Sequence, residues 1–318
     1  MGSSQSTILV TGAAGLIGSA VTRLLRVRGH RVIACDDFSI GTWRGEGDEI
    51  VWERLDVADA KLSSRLSAHA IDAVVHCAAH PGGKSLQEPA EDVRVNALGS
   101  MRLFEWCARS KIPVVYLSSS AVYGEQPSAP IREDAPLKPG TIYAVCKVAC
   151  EQGLRILEAG YGLQWTVLRL FATYGAGHRP STHQGIVNVM LTQLLSGDRL
   201  VVRGSLERVR DLVCVDDAAQ AIAACVFNDA ARGRVLNVGT SVGVTVRELI
   251  ALLCEILGRR IEEVTITEAE GTVGDPQYSV ADIIALVSLG IRPRVGLREG
   301  LERLIQARRQ QAATSAQT

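Results

Sequence analysis

Apolar residues in this chain fall into two alternating patterns. Short unbroken runs such as Ile8-Leu9-Val10, Val32-Ile33-Ala34-Cys35, Ala73-Val74-Val75 and Val114-Val115-Tyr116-Leu117 have the character of strands buried on both faces. Between them, apolar positions recur every three or four residues, as on the buried stripe of a helix; Leu16, Ile17, Ala20, Val21, Leu24 and Leu25 begin the first such segment. The pattern predicts strands around 8–10 and over 31–35, 49–55, 71–77, 112–117 and 165–171. Helices are predicted from Leu16 and over 60–69, 89–110 and 143–159. Strand and helix in strict alternation predict an α/β fold, a doubly wound parallel sheet with helices on both faces.

Beyond Thr173 the rhythm breaks. Residues 175–184 hold glycine, proline, histidine and serine and read as a loop; helices follow over 188–196, 216–226, 246–257, 282–289 and 297–308, with strands over 200–203 and 235–238. Thr245, with Glu248 three residues on, has the spacing of a capping box. The last ten residues are polar and read as frayed. The expected organisation is a sheet domain over 1–172, to which about 211–240 return, and a smaller C-terminal α/β substrate-binding domain over 173–318.

With 318 residues, 47% of them apolar, the chain can bury a sizeable core. Its 34 basic and 34 acidic residues cancel, so no net field favours nucleic acid or an anionic membrane. No apolar run is long enough to span a bilayer and no signal-peptide pattern precedes the first strand, which leads us to expect a cytoplasmic protein. The eight cysteines form no CxxC pair and the six histidines no HxH or HExxH cluster, so neither metal nor structural disulfide is expected.

The chemistry begins where the first strand ends. Thr11-Gly12-Ala13-Ala14-Gly15-Leu16-Ile17-Gly18 is a strand, a tight glycine turn and a helix start. Glycine lets a ligand approach the backbone, and the first helical turn offers N–H groups to a pyrophosphate. Asp36-Asp37 closes the second strand about twenty residues later, where a carboxylate holds an adenosine ribose and repels a 2′-phosphate, favouring NAD over NADP. Asp56-Val57 stands after the third strand, within reach of an adenine. Small residues at Ala78-Ala79 would let a cofactor backbone lie close. Asn96 sits within a helix, where asparagine is unfavourable unless it faces solvent or holds a specific polar group. His76 and His80 read as structural.

Ser118-Ser119-Ser120 ends the fifth strand, on the edge where parallel sheets bind ligands. Tyr143 and Lys147 are four apart and share a helix face. A phenol is a poor base unless nearby positive charge stabilises its oxyanion. With a serine to orient a substrate hydroxyl, this is a proton-transfer set beside a hydride-accepting nicotinamide.

These motifs, with Val95-Asn96-Ala97-Leu98-Gly99 and Ser120-Ala121-Val122-Tyr123-Gly124, together resemble the extended short-chain dehydrogenase/reductases, and among them the nucleotide-sugar epimerases and dehydratases of the UDP-glucose 4-epimerase type. The resemblance runs from Thr7 to about Leu301. It implies a Rossmann sheet and a tightly held NAD contacted by Gly12, Ala14, Gly15, Leu16, Ile17, Asp36, Asp37, Asp56, Val57, Ala78, Ala79, Asn96, Ser118, Tyr143 and Lys147. It implies Ser119, Tyr143 and Lys147 as catalytic residues, Lys147 holding the nicotinamide ribose. A UDP-sugar would meet Lys84, Ser85, Ser120, Arg210 and Ser279, with Arg210 on the diphosphate and the small Ser279 leaving room for an N-acetyl group. A homodimer through helices 89–110 and 143–159 is implied as well. The implied reaction is 4-epimerisation. The dehydratases place an Asp-Glu pair where Ser120 and Ala121 stand here. A dehydratase, a 4-ketoreductase, an epimerase acting at C3 or C5, and a non-catalytic NAD-binding scaffold are the alternatives. Two diphosphate contacts of the family are absent: Ala172 stands where an asparagine is usual, and Thr272 where an arginine often precedes Gly274-Asp275-Pro276. Lys84, Arg179 and His183 are the candidates to replace that charge.

Overall fold

The computed structural model describes residues 5–45, 50–178, 180–181 and 184–315. In chain order the first half runs β1 (Thr7–Thr11), α1 (Leu16–Val27), β2 (Arg31–Asp36), β3 (Ile50–Arg54), α2 (Leu62–Leu66) and β4 (Ala73–His76). It continues through α3 (Pro89–Asp92), a π-helical turn (Val93–Gly99), α4 (Ser100–Ser110), β5 (Val114–Ser119), a 3-10 turn (Ser120–Tyr123), α5 (Ile142–Tyr161) and β6 (Trp165–Leu170). The second half holds β7 (Ala172–Tyr174), α6 (Ile186–Ser196), β8 (Arg199–Arg203), β9 (Val209–Cys214), α7 (Val215–Cys225), β10 (Arg234–Val238) and β11 (Gly243–Thr245). It ends with α8 (Val246–Ile256), β12 (Thr265–Ala269), β13 (Tyr278–Ser279), α9 (Ile284–Val287) and α10 (Leu297–Ser315).

Seven strands form one parallel sheet in the order β10-β6-β5-β4-β1-β2-β3. Order reverses between β1 and β4, which opens a crevice beyond their carboxyl ends. Side chains alternate across the sheet. Ile8, Val10, Val32, Ala34, Val115 and Leu117 join the core under α1 and α7, while Leu9, Ile33, Cys35, Val114 and Tyr116 join the one under α4 and α5. Burial on both faces is why these strands read as continuous apolar runs.

The later elements build a third core from α6, α8, α10 and the strands beside them. There β9 carries β11 antiparallel on one side and β13 parallel on the other, its later residues pair in parallel with β7, and β8 pairs with β12. Thr245 and Glu248 do form a reciprocal capping box on α8. Some expectations need correction. The helices expected over 60–69 and 282–289 are helical only over Leu62–Leu66 and Ile284–Val287. The helix expected over 89–110 is interrupted by seven residues of π-helix. The C-terminal helix runs on to Ser315, so the final stretch is helical nearly to its end.

A buried polar network ties the sheet to α5. Arg169 on β6 donates through Nε and Nη2 to both oxygens of Glu151 on α5, at 3.0 and 2.6 Å, and through Nη1 to the Tyr123 hydroxyl at 2.9 Å. Tyr123 in turn donates to Asn237 on β10, at 2.6 Å. Both charged groups are almost fully buried. Burying a pair of charges gains little over apolar packing, but removing one partner costs about 3–5 kcal/mol. The network therefore acts as a lock on where α5 sits against β5 and β6.

Candidate functional site

The glycine turn after β1 meets the end of β4 at backbone contact distance. Gly12 has φ of 64°, and a Cβ there would lie 2.7 Å from the Ala78 Cα, so only glycine fits. Gly15 caps α1 with no side-chain hydrogen bond, which leaves the first-turn N–H groups of Leu16 and Ile17 to an anion. Asp36 holds the loop from β2: its carboxylate accepts from the Ala14 N–H at 2.9 Å and from the Phe38 N–H at 2.8 Å. Burial pushes the Asp36 carboxyl up, and those two N–H groups work against the rise. Phe38 has φ of 60°, unusual for a bulky residue, and its bond to Asp36 holds that conformation.

Behind the crevice runs a directional chain of hydrogen bonds. The Ala78 N–H donates to Thr11 Oγ1 at 3.2 Å, and Thr11 Oγ1 lies 2.7 Å from His76 Nδ1. His76 Nε2 lies 2.9 Å from Ser100 Oγ, which itself donates to the Asn96 carbonyl at 2.7 Å. Since the Ser100 proton goes to Asn96, the consistent assignment is a neutral His76 with its proton on Nε2. Asn96, fully buried in the π-helical turn, accepts from the His80 N–H and donates to the His80 carbonyl and to Asp92. Its amide thus fixes the loop after β4, the specific polar group its place in a helix called for.

At the end of β5 the serines divide by strand alternation. Ser118 shares the Tyr116 face and donates to Glu151 at 2.6 Å, so its hydroxyl is turned into the buried network, away from the role expected of it at the cofactor. Ser119 accepts from the Ala121 N–H at 3.2 Å, and Ser120 follows in the 3-10 turn. That turn packs on α5. Thr141 caps α5, and Ser85, nearly fully buried, accepts from the Tyr143 N–H at 2.9 Å. The Tyr143 ring lies flush against Gly82, where a Cβ would come within 3.2 Å of it. Lys147 is buried; Nζ donates to the Leu117 carbonyl at 2.8 Å and stands 4.7 Å from the Tyr116 ring centre and 5.5 Å from that of Tyr143.

Other expected site residues make contacts within the protein. Asp37 accepts from Ser39, in a turn of its own. Asp56 accepts from the Ala58 N–H and pairs with Arg94 at 2.7 Å, while Val57 is buried against Gly99. Lys84 is half exposed and faces Glu88 at 3.6 Å. Arg210, expected on a diphosphate, donates to Asp275 at 2.7 Å and to the Pro276 carbonyl at 2.6 Å, and burial pushes its guanidinium down. Ser279 is buried beside Arg210 in register on β13. Arg179 and His183 lie outside the described residues. Among the described residues no group of histidine, cysteine and carboxylate side chains could hold a metal, and no helix is long and apolar enough to cross a membrane. Thr11, Glu151, Arg208 and Asp275 were not among the expected site residues; Thr11 opens the glycine motif and Asp275 lies in Gly-Asp-Pro, while Glu151 and Arg208 carried no local signal.

Comparison with known proteins shows the family and the fold. The model of the NAD-dependent epimerase/dehydratase family matches residues 8–239. A UDP-glucose 4-epimerase of Mycolicibacterium smegmatis is 32% identical over 307 residues, covering 94% of this chain and 97% of its own. The structure of UDP-glucose 4-epimerase from Thermotoga maritima with UDP-glucose superposes with a TM-score of 0.90 at 31% identity, over 96% of this chain and 99% of that one. The Thermus thermophilus UDP-glucose 4-epimerase complex with NAD gives 0.88 at 31% identity, over 95% and 99%.

The neutral, buried His76 makes a pH prediction. Burial, with the Lys147 charge nearby, pushes its pKa down to about 3, whereas a histidine in the unfolded chain titrates near 6.5. Below pH 6.5 the unfolded chain therefore binds a proton that the fold refuses. His76's contribution to stability falls as pH drops from 6.5 towards 3, by up to about 1.4 kcal/mol per pH unit. Urea unfolding of the wild type and His76→Gln should show a stability gap that narrows over this range; a gap constant with pH contradicts the assignment.

Proposed function

The chain belongs to the NAD-dependent epimerase/dehydratase family, and from that premise we propose that it is an NAD-dependent nucleotide-sugar 4-epimerase. The observation that carries the reading is the pairing of the Tyr143 ring with a buried Lys147 ammonium at 5.5 Å, beside the end of β5. A cofactor-sensing protein would need the glycine turn but not this pair. Gly12, Gly15, the open first turn of α1 and Asp36 would hold NAD, as the relative from Thermus thermophilus does in its complex. The cofactor, when bound, accepts the C4 hydrogen of the sugar with its electron pair and later gives it back.

The protein's part is proton handling and orientation. Tyr143 takes the proton of the C4 hydroxyl as the C4 hydrogen leaves, and the sugar becomes a 4-ketone. Lys147 supplies the positive charge that stabilises a phenolate. Ser119 directs a hydroxyl at the sugar oxygen. After the 4-keto sugar turns within the cleft between the main sheet and the smaller C-terminal unit, the hydrogen returns to its other face and Tyr143 returns the proton. The segment from Ser118 to Gly124 carries no carboxylate, which disfavours the water elimination of a dehydratase.

Tyr143→Phe should lower kcat about 10²–10⁴-fold, the range for losing a positioned acid–base group, while the purified protein still releases NAD on denaturation. Unchanged turnover of UDP-glucose in that variant overturns the mechanism.

A homodimer fits the surface of α5. Ile142, Val145, Ala149 and Ile156 form an exposed stripe at helical spacing, with Val93 and Leu98 exposed on the adjoining helix. We read this stripe as the partner face. Sedimentation at micromolar concentration should give a dimer for the wild type and a monomer for Val145→Glu; a monomeric wild type contradicts the reading.

A further inference from the structure

Two tyrosines flank the buried ammonium, and only one of them is the proposed base. Lys147 Nζ stands over the ring of Tyr116 on β5, 4.7 Å from its centre, and 5.5 Å from the centre of the Tyr143 ring. Tyr116 is wholly buried, and its hydroxyl has no hydrogen-bond partner among the described residues. Burial pushes its phenol well up, so it stays neutral and does not compete with Tyr143 as a base. What Tyr116 offers the ammonium is the face of its ring, whose negative quadrupole attracts a cation most strongly where water is excluded.

The ring is fixed in that place by its neighbours. His76 and Tyr116 stand in register on adjacent strands, and their rings stack with centres 5.6 Å apart and planes 27° apart. Phe104, from α4, meets the Tyr116 ring in a T at 5.2 Å and 83°. A ring held from β4 and α4 keeps its position whatever occupies the crevice beyond the strand ends.

The titratable groups around Lys147 are neutral or already engaged. Burial, with the Lys147 charge, pushes His76 down to about 3, and burial pushes the Cys77 thiol after β4 up to about 12. On α5 burial raises Cys146 to about 11 and raises Cys150 as well. Glu151 is taken by Arg169 and Ser118. Asp92 of α3, whose charge is felt at Cys146, accepts from Asn96 at 2.6 Å. A cation withdrawn from water is costly unless it is compensated. Here the compensation is one carbonyl and two ring faces, and the face of Tyr116 is the nearer.

We propose that Tyr116 is a positioning residue of the reaction: through its ring face, and not its hydroxyl, it keeps Lys147 charged and in place beside Tyr143. This rests on the epimerase reading above, in which that charge stabilises the Tyr143 phenolate.

Epimerisation of UDP-glucose followed against pH tests it. Weakening the ring face destabilises the ammonium, so the phenolate forms only at higher pH. Tyr116→Leu should move the acid-side limb of kcat/KM up by about one pH unit, a loss of about tenfold below the limb that is recovered above it. Tyr116→Phe keeps the face and should hold the limb where the wild type has it. Phenylalanine fluorinated at three ring carbons, placed at position 116, keeps the shape but drains the face of negative charge, and should behave as leucine does; it guards against a leucine variant that fails to fold. A limb that stays in place in the fluorinated variant, or that moves as far in Tyr116→Phe, overturns the proposal and leaves the epimerase reading standing. A wild type that holds NAD but epimerises no UDP-sugar overturns both.

Discussion

The site depends on one buried charge. Lys147 is almost wholly withdrawn from water, yet among the described residues no carboxylate lies within ion-pair distance of it. Glu151, one helical turn further on, is already engaged by Arg169 and Ser118. What holds the ammonium is the Leu117 carbonyl and the faces of two tyrosine rings. An ammonium has three donors and uses one of them on that carbonyl. A fold that leaves such a charge unpaired in its interior keeps its field for something else, and the ring of Tyr143 stands 5.5 Å from it.

Everything around that charge serves to keep it still. Arg169 and Glu151 fasten α5 to β6, and Ser118 fastens β5 to the same carboxylate. On the other side the chain from Ala78 through Thr11, His76 and Ser100 to Asn96 sets the end of β4 against the glycine turn. The π-helical turn is what brings Asn96 round to clamp the His80 backbone; an added residue in a helical turn rotates the side chains beyond it. Both devices are neutral or internally compensated, so the free charge of Lys147 stands out against its background.

Much of this was legible in the chain. The main sheet could be read because strands buried on two faces are uninterrupted apolar runs, and the glycine turn because close backbone approach at Gly12 excludes every other residue. Tyr143 and Lys147 were legible through helical spacing taken together with the glycine turn, Asp36 and the serine run. Ser119 could have been told from Ser118 by alternation, since Ser118 shares the inward face of Tyr116. The second half was harder. β7, β11 and β13 have two or three residues each, too few to show a period, and their pairing with β9 is set by tertiary contact. The joint grip of Arg208 and Arg210 on Asp275 spans more than sixty residues of chain, and no local pattern announces it.

In the proposed mechanism a hydrogen leaves C4 of the sugar and returns to the same carbon while Tyr143 carries the proton. The most direct measurement is proton and deuterium NMR of UDP-glucose labelled with deuterium at C4, incubated in ordinary water with the purified protein. Retention of deuterium at C4 in both the starting sugar and its C4 epimer is the predicted result. Solvent hydrogen at C4, or exchange at C3 or C5 with no inversion at C4, would contradict it.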